Sequence, residues 1–188
     1  ATQRIKEGPV VIRESLSTYP SQIAAASLAA SFWDAITEIA TVPEEDLATT
    51  LLLAPSSFDD DFVEFAAVCD ELIEPTVQAT KADSIVGRAW FHPMYDTESI
   101  GHTKIVAGHA LPASMVEKFV RQIEDDVPDS ELIVQANNAV RCSPHATINL
   151  LRRSQLIAAK EVEAASPNKK PNSIYARNVL RILSDDSQ

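Results

Sequence analysis

A chain of 188 residues, 45% apolar and 23% charged, is long enough for one domain with a sizeable core and has the make-up of an ordinary globular protein. Its formal net charge of −11 excludes a general phosphate-backbone binder, which needs a basic surface, and suits either solubility or docking on a basic protein surface. Cys69 and Cys142, the two cysteines, make no disulfide framework and fit a reducing compartment.

Along the chain, Gly8-Pro9 leads into Val10-Val11-Ile12, a short strand. From Ser21 to Thr41, Ile23, Ala26, Phe32, Trp33, Ile36, Ile39 and Ala40 fall largely on one helical face, with Pro43 beyond the end. The small side chains of Ala24–Ala30 allow close packing on a partner element. Thr49-Thr50-Leu51-Leu52-Leu53, ended by Ala54-Pro55, reads as a central strand. Ser57 and Asp59-Asp60-Asp61 open a second helix, in which Phe62, Phe65, Ala66, Cys69, Leu72 and Ile73 keep the i, i+3, i+4 rule up to Pro75. Ser84–Phe91 is a third strand, stopped by His92-Pro93. Residues 94–112 lack a clear period, with Thr103–Ala107 able to extend.

A short amphipathic helix follows Pro112, with Met115, Val116, Phe119, Val120 and Ile123 on one face. Leu132-Ile133-Val134 is an apolar run of either type. Ser143-Pro144 predicts the mouth of a helix running to about Ala165, with His145, Asn149 and Arg152 in its first turns. Ser166–Pro171 is a turn or linker, and Asn172 caps a last helix carrying Ile174, Tyr175, Val179, Leu180 and Ile182. Asp185 onward is a polar tail. No continuous apolar run approaches membrane-spanning length, the longest being near Leu51–Pro55.

Strand, helix, strand, helix, strand is an α/β (α+β) order. It predicts a sheet of three to four strands flanked by helices, ferredoxin-like or a related βαβαβ core, with C-terminal helices. Residues 1–96 and 138–188 make the core, and 97–137 a long insertion of the kind that is often functional or interface-forming.

Three residues make the candidate catalytic or anion-binding set: His92, beyond the carboxyl end of a strand, and Ser143 and Arg152 at the helix mouth. Local hydrogen bonding accounts more simply for a histidine at His92. Cys142 beside His145 has the elements of an activated thiol but no orienting third group, and a free cysteine also serves as a small hydrophobe. Asp59-Asp60-Asp61 suits a divalent cation or, more simply, a helix start. His92, His102, His109 and His145 share no zinc spacing with the cysteines. Four glycines form no phosphate cradle, so no cofactor and no metal is expected.

Four ordered blocks resemble a known family: Thr49–Leu53 with Phe58–Phe62 and the helix to Leu72; Ala89-Trp90-Phe91-His92-Pro93-Met94-Tyr95; Asn138–Arg153; and Ile174-Tyr175-Ala176-Arg177-Asn178-Val179. Together they are similar to DUF1415, a family of bacteria and photosynthetic eukaryotes. The chain keeps Asn138, Ser143, Pro144, Leu150, Leu151 and Arg152. It carries Cys142, Asn149 and Arg153 where the family has Arg, His and Glu, and the family's Cys-Pro-Phe-Ala segment would end near Ala1.

The resemblance, with its altered polar positions, implies a repurposed, non-catalytic accessory or assembly subunit. Its expected contacts with a larger complex are the acidic surface, Ala24–Ala30 and the 97–137 insertion. A start without methionine and the family's distribution imply an imported plastid protein, in the stroma or on the stromal face of the thylakoid, peripheral to a complex such as photosystem I. A cytoplasmic location is the other reading. An enzyme or binding protein for a small anion at a helix N-terminus is the alternative function.

Overall fold

Four strands form one mixed sheet in the order β1-β2-β4-β3: β1 (Val10–Glu14), β2 (Thr49–Leu53), β3 (Val86–Phe91) and β4 (Thr147–Arg152). The computed structural model describes residues 9–14, 21–101, 103–124, 127–165 and 173–185. β1 pairs with β2 in parallel, and β4 is antiparallel to both β2 and β3. β1, β2 and β3 therefore run one way, and β4 returns between the last two.

Parallel neighbours need a crossover, and α1 (Ser21–Thr41) supplies it between β1 and β2. Between β2 and β3 the chain forms α2 (Phe62–Ala67), a π-helical segment (Val68–Ile73) and α3 (Glu74–Thr80). Asp61 caps α2, accepting from the Glu64 N–H at 2.8 Å.

These helices bury one face of the sheet. Register aligns Leu52, Ile148 and Trp90 in one row, all with no exposed surface, against Leu28, Phe32 and Ile39 of α1 and Phe65, Cys69 and Ile73 of the second helical run. The Gln22–Thr41 part of α1 is the one described helix long and apolar enough to cross a membrane by length and composition. Its apolar stripe is spent on this core instead. The mixed sheet flanked by helices is the expected α/β architecture, with the fourth strand in place.

The 97–137 segment folds as two helices, α4 (Ala113–Ile123) and α5 (Ser130–Ala139), so the Leu132–Val134 run is helical. They share a second core with the last helix, α7 (Ser173–Asp185), built on Val116, Val120, Ile133, Ala136, Ala176 and Val179. The segment is therefore completed by the C-terminal helix rather than standing apart. Gly8, the Ser166–Pro171 turn, the Asn172 cap and the tail beyond Asp185 lie outside the described residues.

Two expectations are overturned. Ser143-Pro144 opens no helix: it leads into β4, and α6 begins only at Arg153 and ends at Ala164. An apolar run as short as Thr147–Leu151 fits either period, and here it is taken by the gap between β2 and β3, where both edges of β4 find partners. Nor do Thr103–Ala107 form a strand; the segment touches the sheet through one bridge, Gly108 to Ala89.

That bridge needs its glycine. Gly108 has φ +83°, and a Cβ there would lie 2.1 Å from the Trp90 ring. A Cβ on Gly87 would meet only the mobile end of Leu156, at 2.0 Å. Gly108→Ala is expected to lower unfolding free energy by about 2 kcal/mol, from strain and overpacking. Gly87→Ala should cost about half that or less, with both read from urea denaturation curves.

Candidate functional site

The antiparallel direction of β4 decides what stands at the carboxyl ends of β2 and β3. Thr147 pairs with both Leu53 and Phe91, so residues 141–146 are delivered to the place where α/β proteins commonly collect ligands. Three loops are stitched together there: Ala54 N–H donates to Ala146 O at 2.9 Å and His92 N–H to Arg141 O at 3.0 Å.

His92 is fully buried. Its Nδ1 accepts from the Met94 N–H at 3.0 Å, which leaves Nε2 to carry the proton and donate to Phe58 O at 2.6 Å. The ring stacks on Phe65 at 5.6 Å and lies 5.3 Å from Phe62. Both nitrogens are committed to backbone groups, so His92 is a fastener between the β2 and β3 loops and not a base open to a substrate.

Ser143 Oγ donates to His145 O at 2.6 Å. Arg152 lies at the other end of β4, paired with Val86. Five residues of extended chain separate it from Thr147, about 16 Å. Its Nε donates to Leu47 O at 2.6 Å and a terminal nitrogen donates to Val42 O, closing the α1–β2 connection. His92 and Ser143 thus share one end of the sheet and Arg152 the opposite one. The anion site expected at a helix mouth has no helix at Ser143-Pro144 to build on.

What does converge at the shared end is Asp59 and His145. Asp59 Oδ2 accepts from His145 Nδ1 at 2.8 Å, and Oδ1 from the Ala146 N–H at 2.7 Å. Burial pushes the Asp59 carboxyl up, but hydrogen bonds from His145, Ala146 and Ser56 outweigh it and hold it below its ordinary range. Asp59 therefore ties β4's entry to the β2 loop rather than serving a cation. Cys142 is an exposed free thiol whose Sγ approaches Asn138 O at 3.7 Å. Cys69 lies in the core, its thiol pushed up by burial and then by Asp70 and Glu74.

A second set of polar groups, without periodicity to announce it in the sequence, fixes the 95–111 segment. His109 Nε2 meets Asp70 of the π-helical segment at 3.0 Å, and Nδ1 meets the Tyr95 hydroxyl at 3.1 Å. That hydroxyl accepts from the Ala110 N–H at 2.8 Å, and burial pushes its pKa up to about 12. Asn138 holds Thr97 and Asp96, while Tyr175 of α7 donates to Asn137 at 2.6 Å. Arg141 lies over the Phe91 ring at 5.1 Å. Among the described residues, no three His, Cys, Asp or Glu side chains gather as a metal set; His102 lies outside them.

No protein-family model, curated protein or solved structure matches the chain.

The Asp59 carboxylate contributes stability above the ordinary carboxylate range, and that contribution is lost as pH falls through its depressed native pKa. Asp59→Asn is expected to cost about 2 kcal/mol at neutral pH, the value of charge-assisted bonds lost at a half-buried site. The gap between variant and wild type should close in acid, as measured by denaturant midpoints across pH.

Proposed function

We propose that the chain is a non-catalytic accessory or assembly subunit that docks on a larger protein complex. The observation that carries this reading is the second face of the sheet. Register aligns Val10 with Thr49, Leu151 and Gly87, and Ile12 with Leu51, Asn149 and Ala89, on the side away from α1 and α2. Val10 is 54% and Ile12 63% exposed, and Leu51, Leu53, Leu151 and Phe91 are only half-buried. α6 covers this face at Gly87 through Leu156, at the far side from β1. An edge strand with two exposed branched apolar side chains is a surface that isolated proteins ordinarily blunt with charge.

The 97–137 segment supports the same reading from elsewhere on the molecule. α5 and α7 border an open groove of about 410 Å³ lined by Pro128, Leu132, Ala136, Ile182 and Leu183, and Leu132 is 45% exposed. The polar side chains that would serve chemistry are spent on loops instead: His92 on Phe58 and Met94, Arg152 on Leu47 and Val42. A plastid location, peripheral on the stromal face of a complex such as photosystem I, belongs to this proposal. It rests on the similarity of the four ordered blocks to DUF1415.

Purification from a native extract, with mass spectrometry of what accompanies the chain, tests the reading. Wild type is expected within a multi-subunit assembly. Val10→Ser with Ile12→Ser should keep the circular dichroism of wild type and bind the assembly about tenfold more weakly or worse, the loss of a little over 1.4 kcal/mol of apolar contact. Wild type recovered alone as a monomer, or a double variant held as tightly as wild type, would overturn it.

A further inference from the structure

Between Glu14 and Thr80 the chain carries thirteen acidic side chains and not one Lys, Arg or His. The rest of the chain, with 14 acids against 16 bases, is close to neutral. The net charge is therefore the property of one segment, and that segment builds β2 and the whole helical layer over the core face of the sheet.

Ion pairs within the fold account for part of it. Glu38 pairs with Arg13, Glu74 with Arg88, Asp59 with His145 and Asp70 with His109, every partner coming from outside the segment. Asp34, Asp60, Glu64 and Glu71 have no ion-pair partner among the described residues. The helix dipole favours Asp60 and Glu64 at the start of α2, but it gives no reason for Glu71, well beyond the first turn. A solvated helix face ordinarily sets Lys or Arg three or four residues from its Glu, and none is present here.

The same helical run also exposes apolar side chains. Val63, beside Glu64, is 53% exposed, and Leu72, beside Glu71, is 43% exposed. Apolar contact points set among unpaired carboxylates on a helix face match one chemistry: a protein surface with Lys and Arg around a few apolar side chains.

We infer that the outer face of the α2–α3 helical run, centred on Val63, Glu64, Glu71 and Leu72, is a docking surface for a basic protein partner. The inference rests on the docking reading above and adds a second contact on the opposite side of the sheet. The unpaired carboxylates speed encounter and set orientation, and Val63 and Leu72 supply the apolar contact.

Zero-length carbodiimide cross-linking of the native assembly tests it, since it joins a carboxylate to a lysine amine only in direct contact. Cross-links from Glu64 or Glu71 to lysines of a neighbouring protein are expected. Glu64→Lys with Glu71→Lys should slow association about tenfold or more and flatten its salt dependence, while Glu64→Gln with Glu71→Gln falls between. Circular dichroism establishes that each variant is folded.

Cross-links confined to other surfaces, links from this face to a second copy of the chain, or a charge-reversed variant that associates like wild type at every salt concentration would overturn the inference. If wild type assembles and loses its place only when Val10 and Ile12 are changed, this face is excluded and the docking reading stands. If wild type is recovered alone, both fall.

Discussion

Everything at the functional end of this molecule depends on β4 running antiparallel between β2 and β3. Its backbone is paired on both edges, and Ile148 and Leu150 enter the core without exposed surface. A parallel strand in that gap would need a crossover and would leave the carboxyl ends of its neighbours open to a ligand. The antiparallel strand instead sends Arg141–Ala146 into that opening. His92, Asp59 and Ala54 then bond to the loop or to one another's supports. Topology, more than the identity of any one side chain, decides which residues stand at that end of the sheet.

The helices are legible in the sequence through repeated apolar positions, and β1, β2 and β3 through short apolar or β-branched runs next to Gly or Pro. α1 and the helix after Asp61 repeat their apolar positions over several turns, so the pattern alone separates them from strands, and β2 is bracketed by β-branched residues and Pro55. β4 is not legible because Ser143-Pro144 is as good an entry to a strand as to a helix, and the stretch behind it continues without a break into α6. The candidate site goes with it, since the strand sends Arg152 to the opposite end of the sheet from Ser143. Asp59 illustrates the other limit. Its neighbours make it a helix-start carboxylate by local rules, yet its partners, His145 and Ala146, lie more than eighty residues away. No local signal carries a pairing of that separation.

Residues that read as chemistry in the sequence prove to be fasteners. Asn138 holds the Asp96–Thr97 turn, Tyr175 ties α7 to α5, and His92 joins two loops. Each has a structural duty within the fold. Cys142 and Arg153 have no such duty: the first is an exposed thiol and the second an exposed side chain at the start of α6.

Asn149 differs from both. It stands mid-row on the second face of the sheet, between Leu51 and Ala89, with its Oδ1 buried and without a hydrogen-bond partner in the protein. An orphaned buried acceptor costs about 1–3 kcal/mol, exposed Val10 and Ile12 forgo their burial, and the unpaired carboxylates of the helical layer repel one another. None of these costs is returned by a contact inside the chain. Natural sequences keep such conflicts few and place them at sites of function. Some of them fall on the two outer faces of the sheet and its helical layer, and others lie inside: Arg141 Nε, in the loop before β4, and Trp90 Nε1, against Gly108, are also buried without a hydrogen-bond partner.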